Sequence, residues 1–178
     1  MDNLAELICK IRTGDASAFE QLFRLYSQPL IHFVCRYVRD ISTAENLVQE
    51  VFLAAWAHRS QLDPTRNIKT YLYTAARNQA LKHLRHTQVE QRSAADIEMG
   101  PPHPPTPEDE RQSQEIGVAL ARAIEALPEK ARIIFSMNRF DQLSYAEIAE
   151  IQGISIKTVE TQMGRALKTL RTRLAHLR

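Results

Sequence analysis

The sequence predicts an all-α protein made of two small helical domains, and three observations support this. Glycine is scarce, at 5 of 178 residues, and good helix formers such as alanine, leucine and glutamate are abundant. Apolar residues recur at spacings of three and four. Five prolines between Met99 and Pro107 interrupt that pattern, because proline lacks a backbone donor and forces extended backbone. We therefore expect domains at residues 1–92 and 113–178, joined by a flexible, acidic, Pro-rich linker at 93–112.

The first domain is expected to contain four helical stretches. Their apolar stripes run over residues 4–11, 19–38, 47–56 and 68–84. Gly14-Asp15 ends the first stretch, and Asp63-Pro64 breaks the chain before the last one, which should extend to about residue 92. The third stretch is expected to begin at an N-cap near Ser42 or Thr43. Trp56 and Tyr71 are expected in the core.

The second domain carries a helix-turn-helix signature. Helices over about 116–127 and 131–140 come first, separated by Pro128. Ser144-Tyr-Ala-Glu147 then forms a capping box that starts a short helix. Ala149, Gly153 and Val159 follow at the spacing that lets two helices cross through a tight turn. The inner side of the last helix is expected to hold Val159, Met163, Ala166, Leu167, Leu170 and Leu174. A helical hairpin used only for packing is the alternative.

A recognition helix in the major groove would expose its polar face to DNA. The candidate readers are Ser155, Lys157, Thr158, Glu160, Thr161, Arg165 and Lys168. Arginine and lysine suit guanine, a carboxylate accepts from cytosine, and threonine methyls suit thymine. Lys168, with Arg171 and Arg173, is expected to meet phosphates.

The charge distribution is more informative than the net charge of +2. Residues 69–92 and 154–178 are basic, and the segment between them is acidic. This layout is typical of two nucleic-acid contacts on one chain. Two solvated helix faces would explain the charges equally well.

Four segments resemble the extracytoplasmic-function (ECF) sigma factors, the two-domain group of the sigma-70 family. Thr43-Ala-Glu-Asn-Leu-Val-Gln-Glu-Val-Phe-Leu-Ala-Ala-Trp56 is similar to the polymerase-docking helix of that group. Ile68 to Arg85, with its Arg-Asn pair, is similar to the helix that recognises the −10 element. Leu127-Pro-Glu-Lys-Ala-Arg-Ile-Ile-Phe and Leu143-Ser-Tyr-Ala-Glu-Ile-Ala-Glu are similar to the domain that reads the −35 element. The match covers nearly the whole chain in the family's order.

The resemblance implies a sigma factor that binds core RNA polymerase, through its β′ coiled coil and β flap, and promoter DNA. The residues implied to face the coiled coil are Glu45, Asn46, Leu47, Gln49, Glu50 and Phe52. Asn46 departs from the usual aspartate, so an ion pair there becomes a hydrogen bond. The residues implied to bind the separated −10 strand are Tyr73, Arg77, Asn78, Lys82 and Arg85, next to a base-capturing loop at residues 58–67.

A finer resemblance concerns regulation. Arg139-Phe-Asp-Gln-Leu-Ser-Tyr and Lys157-Thr-Val-Glu-Thr-Gln-Met-Gly-Arg-Ala-Leu are similar to the subgroup paired with iron-citrate-type, single-span anti-sigma proteins. The resemblance therefore implies a membrane-anchored anti-sigma partner.

The sequence favours no chemistry of its own. It contains no phosphate-cradling glycine loop, no catalytic constellation and no zinc-type spacing around Cys9 and Cys35. We expect no cofactor, metal or small-molecule substrate, and a cytoplasmic protein, because no signal peptide or membrane span is visible. A conventional DNA-binding regulator, a nucleic-acid enzyme and an interaction scaffold remain the alternatives.

Overall fold

The computed structural model describes residues 2–91 and 119–175, and the regular elements in these ranges are all helical. The first range contains α1 (Asp2–Arg12), α2 (Ala16–Val38), α3 (Ile41–Ala57), a 3₁₀ turn (Arg59–Gln61) and α4 (Ile68–Gln91). The second contains α5 (residues 119–125), α6 (Glu129–Arg139), α7 (Tyr145–Gln152) and α8 (Ile156–Arg173). The chain divides into two compact units, Met1–Glu98 and Met99–Arg178. The all-α prediction is confirmed, and the predicted linker at 93–112 lies outside the described residues.

The first unit is built around α2, which packs against α1, α3 and α4. Its core contains the fully buried side chains of Leu22, Phe33 and Leu72. Asp15 caps α2 by accepting a hydrogen bond from the Ala18 N–H at 3.1 Å. These helices form because each has one apolar stripe that water would otherwise expose.

The start of α3 differs from the prediction. Its N-cap is Asp40, whose carboxylate accepts from the Thr43 N–H at 2.7 Å, so Ser42 and Thr43 already lie inside the helix. A hydrogen bond from the Thr43 side chain, together with this backbone bond, lowers the pKa of Asp40 below its usual value. Aspartate is as good an N-cap as serine and carries a charge that suits the helix N-terminus.

The second unit packs α6 and α7 against α8. Met137 of α6, Ile148 of α7 and Val159 of α8 are fully buried where these helices meet. The loop after α6 is fixed by the Asn138 side chain, which donates to the Leu143 carbonyl at 2.8 Å. Within the described ranges, no helix is long and apolar enough to cross a membrane.

Candidate docking and nucleic-acid interfaces

The first helix of the predicted helix-turn-helix, α7, has the capping box that the sequence indicated. The Glu147 N–H donates to the Ser144 hydroxyl at 3.3 Å, and the Ser144 N–H donates to the Glu147 carboxylate at 2.8 Å. Gly153 ends α7 with φ 63° and ψ 39°, the left-handed conformation that glycine adopts most readily. The Ile154 N–H then donates to the Ala149 carbonyl at 3.0 Å and closes the turn.

The second helix, α8, starts at its own cap and packs directly onto α7. Ser155 is the N-cap and accepts from the Thr158 N–H at 3.1 Å. Val159 and Ala149 are both buried, as the helix-turn-helix pattern requires. The turn geometry therefore fixes the direction in which α8 leaves the domain.

One face of α8 is buried and the opposite face is exposed. The buried stripe consists of Val159, Met163, Ala166 and Leu170. The predicted DNA-reading residues are all exposed: Ser155, Lys157, Thr158, Glu160, Thr161, Arg165 and Lys168. One inward assignment was wrong, because Leu167 is 48% exposed on the flank of the helix.

Local contacts hold some of these side chains. The Lys157 ammonium lies 3.2 Å from the Glu160 carboxylate, one turn along the helix. The Thr161 hydroxyl donates to the Lys157 carbonyl at 2.8 Å. The Lys157–Glu160 pair is highly exposed, and such pairs stabilise a fold by less than about 1 kcal/mol. Binding can therefore rearrange it at little cost.

The exposed face of α4 differs from the prediction in its aromatic residue. Tyr73 is 1% exposed and stacks edge-on against Phe33, with ring centroids 5.0 Å apart. The Tyr73 ring thus lies inside the core and not on the exposed face of α4, where the predicted contact with DNA would require it. Tyr71, which was expected in the core, is 42% exposed. Periodicity placed Tyr71 in the core and the family resemblance placed Tyr73 on the DNA, whereas the exposure of the two rings is the reverse.

Tyr71 shares its face of α4 with three other predicted residues. Asn78 and Arg85 follow Tyr71 at intervals of seven residues, close to two helical turns each, and Lys82 lies one turn after Asn78. All four side chains are exposed, whereas Arg77 is only partly exposed. The face combines one aromatic ring, one amide and two cations.

The loop before α4 is held by its own side chains. The Asp63 carboxylate accepts from the Thr65 hydroxyl at 2.7 Å and the Thr65 N–H at 2.9 Å. These bonds lower the pKa of Asp63, and the charges of Arg66 and Arg12 act in the same direction. Asn67 then caps α4 by accepting from the Lys69 N–H at 3.0 Å. The predicted base-capturing loop is thus held by local hydrogen bonds, and it directly precedes the N-terminal end of α4, which carries Tyr71.

The predicted docking residues of α3 divide into two groups. Glu45, Asn46, Gln49 and Glu50 are exposed. Leu47 and Phe52 are both buried, and only Phe52 also lines the apolar groove beside α3. Leu53, which the prediction omitted, is 69% exposed.

An apolar groove lies beside these exposed residues, between α2 and α3. It has a volume of ≈ 360 Å³, and its lining residues are Ala16, Phe19, Phe23, Gln49, Phe52, Leu53 and Trp56. Trp56 is fixed at one end, because the Arg59 guanidinium lies 4.6 Å over its ring and donates to the Trp56 carbonyl at 3.0 Å. The Phe23 and Phe52 rings meet edge-on at 4.8 Å. We call this feature the α2–α3 groove.

Family models match both units. The sigma-70 region 2 model matches residues 22–89, and the sigma-70 region 4 model matches residues 117–170. Together they span most of the chain, in the order that the sequence motifs indicated. The chain belongs to the sigma-70 family.

Curated relatives assign this sigma factor to the ECF group. It is 28% identical to the ECF RNA polymerase sigma factor SigW of Bacillus subtilis, with 96% of each chain covered. It is 29% identical to the ECF RNA polymerase sigma-E factor of Escherichia coli, covering 92% of this chain and 90% of the relative. The protein therefore binds core RNA polymerase and directs promoter-specific transcription initiation.

Two solved structures share the fold. CnrH, solved in complex with the cytosolic domain of CnrY, superposes with a TM-score of 0.67 at 20% identity, and 97% of each chain is covered. The sigma factor RpoE of Bartonella quintana, solved in complex with the anti-sigma factor NepR, gives a TM-score of 0.69 at 25% identity. That match covers 88% of this chain and 96% of RpoE.

Sequence reasoning missed two exposed residues of this sigma factor, and one of them had a usable signal. Leu53 lies one turn after Gln49, on the same side of α3, so the helical period could have placed it on the docking face. Tyr71 had no such signal, since Tyr71 and Tyr73 flank Leu72 in an almost symmetrical apolar pattern. Among the described residues, no group of three or more histidine, cysteine, aspartate or glutamate side chains could hold a metal ion.

Proposed function

We propose that α8 reads the −35 element of the promoter from the major groove. The observation that carries this proposal is the exposed polar face of α8, which stands opposite its buried stripe at the end of a complete helix-turn-helix. Lys157 and Arg165 would donate to guanine, and Glu160 would accept from cytosine N4. Lys168 would bind phosphate and contribute affinity without sequence information.

The exposed face of α4 is the proposed site for the separated −10 strand. Single-stranded DNA is bound by stacking on aromatic rings and by cations along its backbone. Tyr71 supplies the ring, and Lys82 and Arg85 supply the charge. Asn78 and the loop at residues 58–67 would hold a flipped base, and Arg77 would assist from the edge. Tyr73 is replaced by Tyr71 in this proposal.

The exposed part of α3 and the α2–α3 groove together form the proposed docking site for the β′ coiled coil. Glu45, Asn46, Gln49 and Glu50 would provide polar contacts. Leu53 would provide the apolar contact. Its side chain is 69% exposed to water in the free protein, and covering it with a partner would be favourable. Residues 1–92 would thus dock polymerase and bind the −10 element, and residues 113–178 would read the −35 element and meet the β flap.

An anti-sigma protein is the proposed regulator. The Bartonella RpoE, 25% identical, is solved as a complex with an anti-sigma factor, which supports this class of partner. The two motif segments in the second unit favour a membrane-anchored partner of the iron-citrate type. The sigma factor would act in the cytoplasm, and the polymerase would supply the catalytic chemistry. To test this, cytosolic domains of single-span membrane proteins from the same genome are added to the transcription reactions. If none of them inhibits transcription, the proposed membrane-anchored regulator is wrong.

Run-off transcription from genomic fragments tests the proposed function. Core RNA polymerase is assayed with and without the purified protein, and new discrete start sites are expected. The diagnostic variant is Gln49→Ala combined with Leu53→Ala, since both side chains are exposed and line the groove. Phe52 is unsuitable because it is buried. Leu25→Ala is the matched control, an exposed leucine of α2 outside the groove.

The expected result is loss of the new starts with the double variant and wild-type activity with Leu25→Ala. Polymerase binding, measured by co-purification, should fall in parallel. If both variants keep full activity, the docking site is wrong. If core polymerase gains no specific starts while the protein alone shifts duplex DNA, a conventional regulator replaces the proposed function.

A further inference from the structure

Gly164 lies in the middle of α8, and the fold does not require glycine there. It is exposed, and a Cβ added to it would meet no heavy atom within 4 Å among the described residues. Its backbone is helical, unlike Gly14 and Gly153, whose φ angles are positive. Neither crowding nor backbone conformation therefore accounts for the missing side chain.

Glycine at this position weakens the helix. It is the least favourable residue for a helix interior apart from proline, because it loses the most backbone freedom on folding. The exposed flanks of α8 carry side chains as large as Arg165 and Leu167. An alanine would fit the surface and strengthen the helix. No contact among the described residues offsets the lower helix propensity of Gly164.

The position of Gly164 on α8 is specific. The ridge farthest from the core consists of Lys157, Thr161, Gly164 and Lys168, at spacings of four, three and four. The buried stripe, from Val159 to Leu170, has the same spacings on the opposite side. Gly164 thus makes a gap in the outermost ridge, between Thr161 and Lys168.

We propose that Gly164 is the point where promoter DNA comes closest to the axis of α8. An α-helix with its side chains is about 10–12 Å across and the major groove is about 12 Å wide, so the helix fills the groove. A missing side chain on the outermost ridge lets the helix backbone sit deeper in the groove at this point. This inference rests on the proposed reading of the −35 element by α8.

Gly164→Ala should have opposite effects on stability and on DNA binding. The thermal midpoint of the free full-length protein should rise by a few degrees, because alanine favours the helix. The affinity of the holoenzyme for a promoter fragment recovered by run-off transcription should fall about tenfold, because the methyl group overpacks a close contact. Gly164→Leu should weaken binding further.

Thr172→Ala is the matched control, since Thr172 is also exposed on α8 and alanine raises its helix propensity too. It should raise the midpoint and leave promoter affinity unchanged. The salt dependence of binding gives a further readout. Gly164→Ala should keep the wild-type slope of log affinity against log salt, because no phosphate contact is lost.

Three outcomes decide the inference. Weaker binding with a raised midpoint and an unchanged slope supports it. Unchanged promoter affinity of Gly164→Ala overturns it, and so does a lowered midpoint, which would show that the fold itself requires glycine.

Lys157→Ala and Arg165→Ala separate this inference from the proposed function. If neither variant weakens promoter binding, α8 does not read the −35 element; if both do and Gly164→Ala does not, only the close approach is wrong.

Discussion

Replacing Tyr71 and Tyr73 separately tests which aromatic side chain of α4 serves the DNA. Tyr73 is 1% exposed and packs on the fully buried Phe33. Truncating a buried aromatic residue to alanine costs about 3–5 kcal/mol. A domain is stable by only about 5–15 kcal/mol, so Tyr73→Ala should remove a large part of the stability of the first unit. Tyr73→Phe keeps the ring and should retain most of it.

Tyr71→Ala should behave in the opposite way. Its ring is 42% exposed, so the free energy of unfolding should change by no more than about 0.5 kcal/mol. Losing one stacked base costs about 1–3 kcal/mol, which corresponds to about 5- to 150-fold in the equilibrium for promoter opening. The variant should therefore fold normally, bind polymerase normally and open promoters poorly.

Two assays separate these effects. Urea unfolding, followed by the fluorescence of Trp56, reports the first unit alone because Trp56 is the single tryptophan of the sequence. Reactivity of unpaired thymines to permanganate reports the open complex of the holoenzyme. The reasoning is refuted if Tyr71→Ala opens promoters as well as the wild type while Tyr73→Phe, still folded, fails to do so.

Four further predictions follow from the geometry. Gly153→Ala should lower the free energy of unfolding of the second unit by about 1–2 kcal/mol in urea titrations, because φ is 63° there. The folded-state pKa of Asp40 lies below its ordinary value of 3.8. The charged cap therefore stabilises the fold above that pH, and this stabilisation is lost as the pH falls through the lowered pKa. Asp40→Asn should remove this part of the acid sensitivity, measured as unfolding midpoints between neutral and acidic pH. Thr70→Val should raise stability by about 1 kcal/mol in the same titrations, since the buried Thr70 hydroxyl has no hydrogen-bond partner among the described residues. Glu160→Gln should strengthen holoenzyme binding to random duplex relative to promoter duplex in competition assays, because a carboxylate facing DNA is lost; an unchanged ratio would contradict a reading role.

Helices and caps could be predicted from the sequence because their signals are local. The capping box at Ser144 and the left-handed turn at Gly153 depend on residues within one turn of each other. The helix-turn-helix followed from those signals and from the burial of Val159. The start of α3 was placed two or three residues late because aspartate, serine and threonine compete as N-caps over residues 40–43, and local sequence does not rank them.

The faces of α3 and α4 could not be predicted as well, and the reason is their composition. The buried side of α4 includes Ala76 and Ala80, whose small side chains give little periodic signal. The phase of the helix therefore stayed undetermined by one or two residues, enough to place the exposed Tyr71 in the core. In α3, seven apolar residues run without interruption from Val51 to Ala57, so the sequence left open whether Phe52 or Leu53 faces outward. Tertiary packing decides both cases.

The Lys157–Glu160 pair shows how α8 can separate specificity from affinity. In the free protein the pair is exposed and weak, so opening it costs little. In the proposed reading of the −35 element, Lys157 would turn to a guanine, and Glu160 would then accept a hydrogen bond from cytosine N4. Opposite guanine or thymine the carboxylate would lie against acceptors and repel them, which would lower affinity for wrong sites without raising it for the right one. Lys168 attracts every sequence equally. The same helix thus holds a general attraction at one end of its outer face and a penalty for mismatched sequence at the other.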